Sequence, residues 1–204
     1  MKQAASPSAG VSRETRARLQ LFAELLLRWN RTINLISRRD EAVVWERHIE
    51  DSLALIPALP EGIALAADMG SGGGFPGIVL AVATGCHFHL VESDQRKSTF
   101  LREAARVMAA PVTVHAARIE DAILPKLPLI TARALAPLDT LLGWAAPHLA
   151  PGGICVFPKG RTAAEELTVA AERWHMRVER FPSPTDPAAT ILRLSEIARA
   201  GPSD

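Results

Sequence analysis

Residues 68–77 read Asp68-Met-Gly70-Ser-Gly72-Gly-Gly74-Phe75-Pro76-Gly77 and follow the apolar run Ile63-Ala-Leu-Ala-Ala67. An apolar run of that length breaking into glycine is a buried strand entering a loop. Pro76 suits a first helical turn, where its missing N–H has no partner to lose. Glycines at 70, 72 and 74 strip side chains from the loop, so backbone can press against a ligand. The next strand-like stretch, Phe88-His-Leu-Val91, ends in Glu92, 22 residues beyond Gly70. A carboxylate at that spacing can accept both hydroxyl protons of a ribose. The reading is a nucleoside-containing cofactor held at the edge of an α/β sheet.

Outward from this loop, strand and helix patterns alternate. Strands are predicted over 64–69, 87–91, 111–115, 128–132 and 152–157, with two more near 175–181 and 190–195. Helices are predicted over 76–84, 94–109, 137–148 and 162–173. Alternation of this kind builds a parallel sheet with helices on both faces. Ser183-Pro-Thr-Asp-Pro187 is too short for a crossover helix, so the last two strands form an antiparallel ending. Five βα units and such a pair give the Rossmann-like, seven-stranded sheet of a class I S-adenosylmethionine-dependent methyltransferase, last strand antiparallel. Ahead of it, Leu19, Phe22, Leu25, Leu26 and Trp29 recur at helical spacing from Ser12 onward. A second helical stretch, about Glu41 to Leu55, puts Val44, His48, Asp51 and Leu55 on one face. The organisation expected is a flexible tail over 1–11, a helical extension over 12–60, the methyltransferase domain over 61–198 and a tail over 199–204.

The 204 residues carry a net charge of only +1, so there is no global pull toward nucleic acid. Residues 1–50 nevertheless hold nine Lys/Arg against six Asp/Glu, a local excess that suits a polyanion partner or a solvated helix surface. Cys86 and Cys155 sit in apolar runs without companions, as free thiols do in a reducing cytoplasm. No stretch reaches the roughly 20 apolar residues of a membrane span, and the N-terminus lacks the apolar core of a secretory signal. His87 and His89 alternate along a strand without carboxylate or cysteine companions, so no metal is expected. A cytoplasmic monomer is the expectation.

The choice of cofactor rests on the loop. A dinucleotide fingerprint counted from Gly70 needs glycine at its sixth position, where Phe75 stands. Asp68 would also sit poorly beside a pyrophosphate. S-adenosylmethionine carries an ammonium and a sulfonium and no phosphate, so it fits Asp68, Gly70, Gly72, Gly74 and Glu92 better. Ala117-Arg-Ile-Glu-Asp121 follows the third strand, where Glu120 can meet an adenine edge or simply complement a helix dipole.

Six motifs then occur in order: Trp29-Asn-Arg-Thr-Ile-Asn-Leu35, Arg47-His-Ile-Glu-Asp-Ser-Leu53, Gly70-Ser-Gly-Gly-Gly-Phe-Pro-Gly77, Arg96-Lys-Ser-Thr-Phe-Leu101, Thr131-Ala-Arg-Ala-Leu-Ala136 and Pro158-Lys-Gly160. Together they resemble the bacterial 16S ribosomal RNA guanine-N7 methyltransferase family, RsmG or GidB, over about residues 19 to 195. The resemblance implies S-adenosylmethionine as donor and N7 of guanine 527 of 16S rRNA as acceptor, within the small ribosomal subunit or its precursor. It also implies that Gly70, Phe75, Ile119, Glu120 and Arg133 contact the donor. The C-terminal strand, Thr190-Ile-Leu-Arg-Leu-Ser-Glu196, lacks the basic ending associated with relatives.

The chemistry is compatible. N7 already presents a lone pair, so attack on a sulfonium methyl calls for alignment rather than a general base. No cysteine and no Asn-Pro-Pro-Tyr-like segment follows the fourth strand; Thr131-Ala-Arg-Ala134 stands there instead. Arg133 can donate to guanine O6 or to the donor's carboxylate, and Lys159 to phosphate or base, both as positioning groups. His48 and Asp51 read as a structural hydrogen-bonded pair. Arg28, Arg31, Arg38, Arg39 and Arg47 are candidates to track phosphates, and Trp29, Trp45 and Phe75 to stack a flipped base. A small-molecule methyltransferase and a non-catalytic, S-adenosylmethionine-binding regulatory protein are the alternatives.

Overall fold

A computed structural model describes residues 6–201. Seven strands form one sheet: β1 (Leu65–Met69), β2 (His87–Val91), β3 (Val112–His115), β4 (Leu127–Ala132), β5 (Leu149–Lys159), β6 (Trp174–Pro182) and β7 (Thr190–Arg199). Their spatial order is β3-β2-β1-β4-β5-β7-β6. The first five are parallel, and β7 runs antiparallel to both β5 and β6. Strand order therefore reverses between β1 and β4, and a crevice opens at their carboxyl ends.

Each strand's alternation divides its side chains between two cores. On one face, α1 (Arg13–Asn30), α3 (Gly77–Thr84) and α4 (Gln95–Met108) bury Leu19, Phe22, Leu26, Ile78 and Phe100 against Phe88 and Leu90. On the other, α5 (Leu138–Ala145) and α6 (Ala163–Ala171) bury Leu138, Leu142 and Leu167 against Met69, Ile130 and Phe157. The extension thus shares a core with the sheet. Phe22 and Phe100 stack at 6.2 Å, and Trp29 meets Phe100 edge-on at 5.8 Å, so Trp29 anchors α1.

Two expectations need correction. The four helices predicted within the sheet domain are present, and the β3–β4 connection makes only a 3-10 turn, Ile119–Asp121, so the count of five βα units falls to four. The segment from Glu41 onward is not one regular α-helix. A 3-10 turn, Glu41–Val43, leads into a π-helix, Trp45–Glu50, which passes into α2 (Asp51–Leu53). Of the N-terminal tail, residues 1–5 lie outside the described residues. Pro7–Gly10 forms a turn fastened to buried Glu50, which accepts from the Ser8 amide at 3.0 Å and the Ser6 hydroxyl at 2.8 Å. Of the C-terminal tail, residues 202–204 lie outside the described residues, and Arg199 is the last residue of β7.

Candidate active site

Two cavities meet at the carboxyl ends of β1 and β4. The smaller, about 400 Å³, is lined by Gly70, Gly72, Val91, Glu92, Ile119, Glu120, Arg133 and Leu135 among others. The larger, about 710 Å³, shares Gly70, Gly72, Arg133, Ala134 and Leu135 with it. It extends over Phe75, His48, Asp51 and Lys159 to the β6–β7 turn at Ser183 and Asp186. Sheet register explains the shared wall. Met69 and Ala132 are partners in adjoining strands, so Gly70 and Arg133 leave the sheet side by side.

The glycine loop holds its shape through backbone that side chains avoid. Gly70 and Gly72 have φ of +65° and +51°. The Gly72 amide donates to Glu92 Oε2 at 2.9 Å and the Asp94 amide to Glu92 Oε1 at 2.8 Å, fixing a largely buried carboxylate at the cavity wall. Each oxygen keeps a lone pair for a further donor. An acceptor-only carboxylate, bare glycine backbone and the apolar side chains of Val91, Ile119 and Leu135 suit a nucleoside: hydroxyls to the acid, a flat base between apolar groups.

Asp68 does not join this wall. It is fully buried with its carboxylate turned toward α3, accepting from the Thr131 hydroxyl at 2.9 Å and the Gly77 amide at 3.3 Å. An acid at 68 therefore does not keep phosphate from the loop, because that charge faces the interior. Gly74 is likewise internal, its missing Cβ making room for Phe22 and Ile78. The helix-packing glycine missing at position 75 stands two residues later. At Gly77 an added Cβ would lie 2.5 Å from Leu90 and 2.8 Å from Asp68. Counted from Gly72, the loop reads Gly-Gly-Gly-Phe-Pro-Gly, a fingerprint in a frame the count from Gly70 misses.

Around Arg133 a cluster ties the helical extension to the sheet. Its Nη2 lies 2.8 Å from His48 Nδ1, its Nη1 donates to the Arg47 carbonyl at 3.3 Å, and its guanidinium stands over the Phe75 ring at 5.1 Å. His48 stacks on the same ring at 4.9 Å. A guanidinium only donates, so Nδ1 accepts and the His48 proton sits on Nε2, 3.4 Å from Asp40 Oδ2. Burial, with Arg133 alongside, pushes His48 down to about 4, so the ring is neutral. Asp51 lies 4.0 Å from Arg133 and accepts from the Thr185 hydroxyl. His48 and Asp51 are thus not bonded to each other; both face Arg133. Phe75 is almost wholly enclosed, its ring flanked by His48 and Arg133.

Lys159 is more committed than its strand-end position suggested. Its ammonium donates to Glu166 at 2.7 Å and to the Ala136 carbonyl at 2.9 Å, and Glu166 also accepts from the Leu138 amide. The lysine braces β5 against α5 and α6 at the cavity floor. Of the five candidate arginines, all exposed, Arg47 lines the larger cavity, while Arg28, Arg31, Arg38 and Arg39 line neither. His87 bonds Thr113 and His89 bonds His115 at 2.8 Å, away from both cavities.

Sequence reasoning missed three contributors. Asn30 accepts from the Leu35 and Ile36 amides at 2.8 and 3.0 Å and donates to Glu41, shaping the loop that closes the larger cavity. Its place in the Trp29–Leu35 motif was the available signal. Ser183 and Asp186 reach the cavity from a turn whose sequence carries only turn chemistry.

Known proteins resemble this chain in both sequence and fold. The family profile described as rRNA small subunit methyltransferase G (GidB) matches residues 15–186. A protein named ribosomal RNA small subunit methyltransferase G from Rhodospirillum centenum is 57% identical over 192 residues, 94% of this chain and 89% of the relative. One of the same name from Granulibacter bethesdensis is 56% identical over 191 residues, 94% of this chain and 90% of the relative. Among solved structures, M. jannaschii TYW2 in complex with AdoMet matches with a TM-score of 0.58 at 15% identity, covering 83% of this chain and 80% of that one. The T. thermophilus 16S rRNA N2 G1207 methyltransferase matches at 0.54 and 16% identity, covering 74% of this chain and 40% of that one. These two structures share the fold.

Proposed function

The chain belongs to the rRNA small subunit methyltransferase G family, and from that premise we propose that it methylates N7 of a guanine in 16S ribosomal RNA, guanine 527 by family resemblance, acting as a monomer on the small subunit or its precursor. S-adenosylmethionine, when bound, supplies an electrophilic methyl on a sulfonium. The smaller cavity takes the donor's nucleoside. Glu92 accepts from its hydroxyls, Val91 and Ile119 hold the adenine, and the Gly70 and Gly72 backbone lets the chain approach closely. The larger cavity takes the flipped guanine, with Arg133 at the junction to donate to its O6 or to the donor's carboxylate.

The observation that carries this reading is the composition of the shared wall. Glycine backbone, Ala134, Leu135 and Arg133 are common to the two cavities, and none of them accepts a proton; the carboxylates of Asp51 and Asp186 line the larger cavity alone. An exocyclic amine or a hydroxyl has a proton to lose during transfer, whereas N7 has none. The protein's task is to hold the two reactants in line, a contribution of roughly 7–11 kcal/mol in well-oriented systems. Charge passes from sulfur to the guanine ring, and Asp51 with Asp186 supplies fixed negative charge on the acceptor side.

Labelled methyl transfer to small ribosomal subunits that lack the modification, followed by mass spectrometry of the digested RNA, tests this reading. One N7-methylguanosine per particle is expected. Label in the exocyclic amine, or in small acceptors instead of RNA, would refute it.

A further inference from the structure

A third cavity, about 580 Å³, adjoins the larger one across Arg47, which lines both. Its other lining includes Arg16, Trp45, Glu46, Ser8 and Pro184. Arg47 forms no ion pair among the described residues and is exposed. Trp45 is half-buried, its indole N–H donating to Glu50 at 3.0 Å, so the ring is fixed at the wall. Arg16 lies over that ring at 5.1 Å and donates to the Ser8 hydroxyl at 3.2 Å. Glu50, the buried acid below, accepts from the Ser6 hydroxyl, the Ser8 amide and the Trp45 indole.

We propose that this cavity binds the nucleotide next to the target guanine, with its base against the Trp45–Arg16 pair and the connecting phosphate at Arg47. The inference rests on the larger cavity being the acceptor site. Single-stranded RNA is held by aromatic rings and guanidinium planes that take a base face, alternating with cations that take phosphates. Here one free arginine sits at the boundary between two cavities, and an arginine–tryptophan pair stands on its far side. Phe75 is closed off between His48 and Arg133, which leaves Trp45 as the ring with surface to offer at the acceptor side. Glu46 on the rim can accept from an exocyclic amine of the same base.

The test compares wild type with Trp45→Leu and Arg16→Gln. The Arg16 variant leaves all three donors to Glu50 in place, the Trp45 indole, the Ser6 hydroxyl and the Ser8 amide, so it keeps the test open if loss of the indole unfolds the segment. A single-stranded ribo-oligonucleotide carrying the target sequence is titrated directly by calorimetry, without turnover. Loss of a stacked base is expected to weaken binding about 10-fold. The KM for small subunits is expected to rise in step, and donor affinity to stay as in wild type. Equal oligonucleotide affinity in both variants overturns the proposal. A raised KM for particles with unchanged oligonucleotide affinity also overturns it, placing a ribosomal protein at this surface instead. Should wild type methylate no particle, the acceptor reading falls, while the titration still decides whether this cavity holds a nucleotide.

Discussion

Asp68 and Gly77 meet where the loop turns into α3, and they touch closely enough to set the consequences of changing either. Gly77→Ala would press a methyl group on Asp68 and Leu90. Overpacking of this kind costs about 1–3 kcal/mol, read as a fall in the denaturant midpoint. Gly72 is different: an added Cβ meets nothing closer than 3.8 Å, but φ is +51° and the residue lines both cavities. Gly72→Val should leave the core intact and lower donor affinity at least 10-fold by calorimetry; unchanged affinity would remove this cavity from the donor's path. Burial lifts Asp68 to about 6 from 3.8. Between those values the folded state holds a proton that the unfolded state has lost, so this group's contribution falls as pH rises from about 4 to 6. His48, lowered to about 4 from 6.5, has the opposite sign over that window, since there the unfolded chain binds the extra proton. Asp68→Asn is therefore expected to leave the His48 slope exposed, with stability rising from pH 4 to 6.5 more steeply than in wild type. A flat or reversed difference between the two proteins would contradict these assignments.

At the scale of elements, α1 matters through what it holds still. Phe22 is fully buried against Phe75 and Phe100, and Phe75 in turn supports His48 and Arg133. Phe22→Ala is expected to cost about 3–5 kcal/mol of stability. This helix was legible because its apolar residues keep a single period. So were the strands and the helices α3 to α6, each bounded by glycine, proline or a cap. The π-helix at Trp45–Glu50 was not, because widening a turn leaves the apolar pattern almost unchanged. Its effect is local: it carries Arg47, His48 and, just beyond, Asp51 to the Arg133 side of the cavity. The lack of a β3–β4 helix was legible too, since Ala116–Lys126 has no amphipathic period and contains Pro125; only the count of βα units overlooked it. The cavity's far wall was not, because the β6–β7 turn reaches it only through tertiary packing.

For the whole molecule, charge is the organising quantity. The +3 excess of residues 1–50 includes Arg38 and Arg39, which are exposed and lie outside both cavities, and Arg47, which lines the larger one. The double variant Arg38→Glu, Arg39→Glu is expected to raise KM for particles and to flatten its salt dependence by roughly one unit of log–log slope for each phosphate no longer neutralised. Donor affinity should be unaffected. The smaller cavity was legible because strand ends carry it and sequence marks strand ends. The larger cavity is assembled from the extension, β4, β5 and the last turn, segments up to about 150 residues apart, and no local pattern records that meeting.

Arg133 and the glycine pair belong to both cavities at once, so donor and RNA seated as proposed would have a common boundary. Whatever factor a bound donor applies to RNA affinity, bound RNA must apply to the donor, because the two routes close one thermodynamic cycle. Titrating donor with and without an RNA oligonucleotide gives that factor, and the reverse titration has to return the same number. In Arg133→Lys both numbers should move together toward one. The partition would then act as a coupling device, making the enzyme count its two ligands jointly.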